Sequence, residues 1–213
     1  MAVFDERTIT LKFAEHFATI SSNNGNRTTE LLAEFTDLRS AYVGSPLTQD
    51  MLFNIELVHS SITSSSNGKA RGLDELTAEH LKYAHPAIEL VLTKLFNLML
   101  KCRIVPDSFG RSYSVPIPKG YCSRAKSVTV DDFRAISICS VISKVFELGV
   151  LDRFQNFFSS SDNQFGFKKN LSCNHAIYSL GKVVDSFTSN GSTVNSCSLD
   201  LSKAFDKTNY NAL

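Results

Sequence analysis

Apolar positions recur along this chain at spacings of three to four residues in some stretches and of two in others. The spacing predicts helix or strand in each stretch. Residues 5–20 read as a short helix with Leu11, Phe13, Ala14 and Phe17 on its apolar side. The run SSNNGN at 21–26 breaks it, and 28–42 is helical again. Residues 60–68, SSITSSSNG, are small and polar apart from Ile62 and are the best candidate linker. Thr77 is placed to cap a helix starting at Ala78, and Pro86 fits the first turn of another. That second helix sets Ile88, Val91, Leu92, Leu95, Phe96 and Met99 on one stripe and should end by Pro106 and Gly110. Ser112–Ile117 reads as a strand with an exposed edge, since prolines are confined to edges and ends. Gly120–Asp131 would be a hairpin tip and Phe133–Ile138 the returning strand. Ser140–Phe158 is predicted helical with Val141, Val145, Phe146, Leu151 and Phe154 inside. Ser172–Phe187 is predicted likewise with Ile177, Leu180, Val184 and Phe187 buried. Val194–Leu201 alternates strictly and predicts a strand, with Cys197, Leu199 and Leu201 on one side and Ser198, Asp200 and Ser202 on the other. Ser202 would cap a last helix reaching Leu213.

The order of elements is that of an α+β protein. At 213 residues and 43% hydrophobic, the chain is long enough for one substantial core, and its composition excludes collagen, bulk disorder and a disulfide scaffold. No apolar run approaches the roughly 18 residues of a membrane span. The first residues lack the basic-then-apolar pattern of a secretory signal. The five cysteines, at 102, 122, 139, 173 and 197, show no CxxC spacing. These features predict an intracellular protein, nuclear or cytoplasmic, with no membrane partner.

A net charge of +1 conceals an asymmetry. Residues 1–66 hold eight acidic and four basic side chains, so the remainder carries a balance of +5. Between 101 and 126, Lys101, Arg103, Arg111, Lys119, Arg124 and Lys126 face one acid, Asp107. Such a patch can bind a polyanion, although for charge alone a solvated face is the commoner reading.

Four segments carry chemistry: Val115-Pro116-Ile117-Pro118-Lys119, Phe133-Arg134-Ala135-Ile136-Ser137, Gln164-Phe165-Gly166-Phe167 and Leu199-Asp200-Leu201-Ser202-Lys203-Ala204-Phe205-Asp206. Upstream stand Lys69-Ala70-Arg71-Gly72-Leu73-Asp74 and Ala78-Glu79-His80-Leu81-Lys82. In order and spacing, residues 55–213 resemble the reverse transcriptase domain of LINE-type (non-LTR) retrotransposons. The sequence departs from that pattern at Ala135, Asn170, Cys173 and Tyr210.

The resemblance implies the fingers and first part of the palm of a right-hand polymerase over 67–213, preceded by a helical extension and linker over 1–66. It implies RNA-directed DNA polymerase chemistry on an RNA template, a DNA primer and deoxynucleoside triphosphates. Asp200 would be a catalytic metal ligand, because nucleotidyl transfer uses two Mg²⁺ ions and hard cations take oxygen ligands. A helix-capping role is the plain alternative for this residue. Lys119 and Arg134 would clamp the triphosphate, a task suited to the arginine fork. Phe205 would pack under the sugar and exclude a 2′-hydroxyl. The amides of Ser202, Lys203 and Ala204, opening the last helix, would help hold the nucleotide. Gln164, Phe165, Gly166 and Phe167 would lie on the template side. His175 is read as structural. The family's second metal motif, an Asp-Asp pair after an aromatic residue, does not occur after Asp200 in this sequence, and Asp131-Asp132 falls in the hairpin region. The 213-residue chain is therefore expected to be inactive by itself. The alternative is a non-catalytic nucleic-acid-binding module that uses the same basic face.

Overall fold

A computed structural model describes residues 5–21, 27–44, 47–120, 128–158, 160–201, 204 and 208–209. It is an α+β structure with seven α-helices among the described residues: α1 (Glu6–Ser21), α2 (Thr28–Ala41), α3 (Ile55–Ser64), α4 (Ala78–Lys82), α5 (Ala87–Cys102), α6 (Val141–Arg153) and α7 (Cys173–Ser189). One antiparallel pair, β1 (Ser112–Pro118) and β2 (Phe133–Cys139), supplies the sheet. The described residues form two compact units, one running to Phe154 and the other Gln155–Ser202, with the few described residues after 203 grouped with the first.

The core of the first unit lies where α3, α5 and α6 meet. Asn54 starts α3 by accepting the Leu57 N–H at 3.0 Å, which turns Val58, Ser61 and Ile62 inward. From α5 come Leu92, Phe96 and Met99, and from α6 Val141, Val145 and Phe146. Phe53, Phe96 and Phe146 form a ring cluster with centroids 5.3–5.8 Å apart. The Asn97 side chain fixes Phe53 on α5: its Oδ1 accepts the Phe53 N–H at 2.8 Å and its Nδ2 donates to the Phe53 carbonyl at 2.9 Å.

This packing corrects the expected linker. Ser60–Ser64 are the last turns of α3, and Ser61 and Ile62 are buried, so residues on both sides of position 66 share one core. The serines are compatible with a helix because their hydroxyls bond back to its carbonyls, as Ser61 Oγ does to Leu57 at 2.8 Å. Helix α5 ends before Pro106: Arg103 takes a left-handed conformation (φ 54°), and the N–H groups of Arg103 and Ile104 donate to the Leu100 and Met99 carbonyls. That is the Schellman closure with Arg in the position glycine usually fills. Helix α6 stops at Arg153, leaving Leu151 exposed and Phe154 half-buried.

Two further expectations are corrected in the second unit. Residues 192–201 form no strand, because the described sheet consists of β1 and β2 alone and a strand needs a neighbour for its backbone groups. Helix α7 forms as expected, but Ile177, Leu180 and Phe187 are exposed and Val184 is only half-buried. The helix expected after Ser202 falls almost wholly outside the described residues.

Gly149 permits the approach of Phe53 to α6, since a Cβ there would lie 2.4 Å from Phe53 Cε2. Alanine is the better helix former by about 0.8–1 kcal/mol, but forcing a methyl into a filled core costs about 1–3 kcal/mol. Gly149→Ala is expected to lower stability by about 1–2 kcal/mol in urea unfolding. A stabilised variant would show that Phe53 moves aside freely.

Candidate nucleic-acid interface on the hairpin

The register pairs Tyr113 with Ile138, Val115 with Ile136 and Ile117 with Arg134. Paired residues in an antiparallel ladder share a face, so these six side chains stand on one side of the ribbon. Ser114, Pro116 and Pro118 stand on the other, with Ser137, Ala135 and Phe133. The Lys119 N–H continues the ladder by donating to the Asp132 carbonyl at 2.7 Å. Backbone alternation then turns the positions of Pro116 and Pro118 to the outer edge, where a missing N–H costs no ladder bond.

Lys119 lies two residues beyond Ile117, the partner of Arg134, so the strand period brings both cations to the same face. Both residues are exposed. The Lys119 ammonium donates one hydrogen bond, 2.7 Å, to the Asp131 carbonyl. The opposite face is covered near the turn by α1: Phe13 meets Phe133 edge-on at 4.9 Å, and His16 Nε2 lies 3.7 Å from Asp131 Oδ1.

The Arg134 face continues into a groove of about 640 Å³. Ile117, Ile136 and Ile138 form one wall, and Lys144, Leu148 and Leu151 of α6 form another. The segment from Ser65 to Ala70 closes its side and is held to α4 by three contacts. The Gly68 N–H donates to Glu79 Oε1 at 2.5 Å, and Lys82 Nζ donates to the Ser65 carbonyl at 2.5 Å and to Asn67 Oδ1 at 2.7 Å. The Gly68 bond, ahead of other contacts, holds the Glu79 carboxyl below its ordinary range. Thr77 and His80 form a capping box at the start of α4.

Of the other basic residues, Lys101, Arg103 and Arg111 are exposed, and the Arg103 guanidinium lies against Gly44, where a Cβ would meet its Nη2 at 2.7 Å. Arg124 and Lys126 lie outside the described residues.

In the second unit, the Gln164 N–H closes a turn on the Ser161 carbonyl at 2.9 Å, and Gln164 Nε2 donates to the Gly166 carbonyl at 3.1 Å. Phe167 adopts φ 60° and is 93% exposed. Asp200 is exposed on the irregular segment before Leu201, which replaces the expected strand end. His175 has a structural place: its Nδ1 accepts the Ser172 N–H at 3.1 Å, closing a capping box at the start of α7. Ala204 is an exposed turn residue whose carbonyl accepts the Thr208 hydroxyl at 3.0 Å. Ser202, Lys203 and Phe205 lie outside the described residues.

Asp200 can offer Mg²⁺ two oxygens of the six it prefers, and no group of three His, Cys, Asp or Glu side chains that could hold a metal occurs among the described residues. No helix among them is long and apolar enough to cross a membrane.

Several residues that shape this region are silent in the sequence pattern. The Tyr113 hydroxyl donates to the Arg71 carbonyl, and the Ser140 hydroxyl to Asp74 Oδ2 at 2.5 Å. Gly72 is buried against β2, where a Cβ would meet the Cys139 carbonyl at 2.7 Å. These contacts tie the 71–74 segment to the hairpin. The signal for them was the cluster of Gly72 and Asp74, which composition alone does not connect with strands 40 or more residues away. No protein-family model matches the chain, and no curated protein matches its sequence.

Proposed function

We propose that residues 67–213 are the fingers and the first part of the palm of a reverse transcriptase domain of the LINE type. In the complete domain this would be an RNA-directed DNA polymerase with Mg²⁺ as cofactor, acting on an RNA template, a DNA primer and deoxynucleoside triphosphates. Lys119 and Arg134 hold the triphosphate, Gln164–Phe167 meet the template, and Asp200 supplies one metal carboxylate. The observation that carries the reading is the hairpin register, which pairs Ile117 with Arg134 so that Lys119, two residues on, shares the Arg134 face. Two cations so placed can hold one polyphosphate, and each charge-assisted bond contributes about 1.5–3 kcal/mol. The six-to-one basic excess between 101 and 126 also favours the second reading, a module that binds nucleic acid without catalysis.

The test is retention of a fluorescent deoxynucleoside triphosphate by the 213-residue chain. Replacing both Lys119 and Arg134 by alanine removes two such bonds, about 3 kcal/mol at the low end, and is expected to weaken it by about 100-fold or more. Unchanged affinity would remove the clamp. Template-directed synthesis on primed RNA with Mg²⁺ is expected to be absent, because this sequence holds one carboxylate of the two-ion site. Incorporation that vanishes in Asp200→Ala would overturn that expectation.

A further inference from the structure

Helix α2 buries no residue, yet it is not polar all round. Phe35, Leu38 and Tyr42 are 40%, 66% and 69% exposed, and Leu31 is half-buried. Positions 31, 35, 38 and 42 are spaced four, three and four apart, which is the d-a-d-a seam of a heptad. Tyr42 sits at the C-cap, so the helical seam is Leu31, Phe35 and Leu38.

In this frame Glu34 occupies g and Arg39 occupies e, and both are exposed. Within one helix, side chains five apart are not neighbours, and neither residue has an opposite charge three or four positions away. Arg27, by contrast, pairs with Glu30 at 3.3 Å within α2 itself. In a parallel pair of such helices each g residue faces the next e residue of the partner. Glu34 of each copy then meets Arg39 of the other, twice by symmetry. In an antiparallel pair g faces g and e faces e: the registers that stack Leu31, Phe35 and Leu38 on one another set Glu34 against Glu34 or Ala41 and give Arg39 no acid, while Arg27, the remaining g residue, is held by Glu30. The charges therefore select both the partner and its direction.

We propose that α2 is a self-association surface, on which a second copy of this chain docks as a parallel, two-fold coiled-coil pair through Leu31, Phe35 and Leu38, with two Glu34–Arg39 ion pairs. The helix has 14 residues, about 21 Å, so the contact lies at the small end of protein interfaces and the dimer is weak and reversible.

Sedimentation equilibrium on the full chain up to about 200 µM tests this, a range chosen for a small interface. The expected result is a reversible monomer–dimer equilibrium that Leu38→Glu abolishes. Glu34→Arg and Arg39→Glu should each weaken it by about tenfold, since both ion pairs turn repulsive. The double variant carrying both changes should recover to within about threefold of the parent. Because α2 buries nothing, these variants are expected to keep the parent's circular dichroism spectrum and melting curve. A chain that stays monomeric throughout would overturn the proposal. So would a dimer indifferent to Glu34→Arg, or one not recovered by the double variant, since either would mean unspecific apolar adhesion or a different interface.

Discussion

Phe96→Ala is expected to cost the first unit about 3–5 kcal/mol, a large part of the 5–15 kcal/mol that holds a typical domain. Phe96 is fully buried and lies 5.8 Å from the Phe53 ring and 5.3 Å from the Phe146 ring, centroid to centroid. It therefore joins three pieces of sequence: the segment before α3, α5 itself, and α6. Removing it loses the transfer free energy of a whole ring and leaves a cavity that rings anchored on different elements cannot close together. Leu98→Ala, two residues along the same helix, alters a side chain that is 58% exposed and should cost under about 0.5 kcal/mol. Urea unfolding followed by circular dichroism compares the two. A cost below about 1 kcal/mol for Phe96→Ala would mean that the three segments do not share one core.

The sequence makes this helix legible because a packed amphipathic face requires its period, and 92, 96 and 99 keep it without interruption. The hairpin is legible for a related reason. Two prolines two apart can sit in a strand only when both face the same unpaired edge, and Pro116 and Pro118 do so. Once the strands are placed, the shared face of Lys119 and Arg134 follows from register alone. Local rules fail where a neighbour decides. The alternation at 194–201 states which side chains would share a face but supplies no strand to pair with. Ser60–Ser64 has linker composition, yet Ile62 within it and Val58 before it are drawn into the core, and the serine hydroxyls are satisfied inside the helix. The groove beside Arg134 is equally out of reach, since its lining runs from Ser65 to Leu151 and closes through bonds such as Gly68 to Glu79. His80 and His175 take the box position that rules assign to Glu or Gln, and an imidazole nitrogen accepts the N-cap amide just as well.

The affinity of the chain for single-stranded nucleic acid is expected to depend steeply on salt, and the basic run of 101–134 should set that dependence. Each phosphate contact on a single strand releases condensed counterion and contributes about −0.7 to the slope of log affinity against log salt. Lys119 retains donors for this task, since its ammonium carries three and one goes to Asp131. If Lys119, Arg124 and Lys126 each hold a phosphate, replacing all three by alanine should flatten the slope by about 2. The curves of parent and variant would then converge near 1 M salt and lie about 30-fold apart at 200 mM and about 500-fold apart at 50 mM. The matched control is Arg7, Lys12 and Arg27, three cations from the acidic first part, of which Arg27 is already paired with Glu30. Their replacement removes the same formal charge but should leave the slope almost unchanged, which separates contact from net charge. Filter binding to an oligonucleotide of mixed sequence, over a salt series, reads both quantities at once. A slope that the first triple change leaves intact would make 101–126 a solvated face, and the nucleic-acid-binding reading of the hairpin would fall with it.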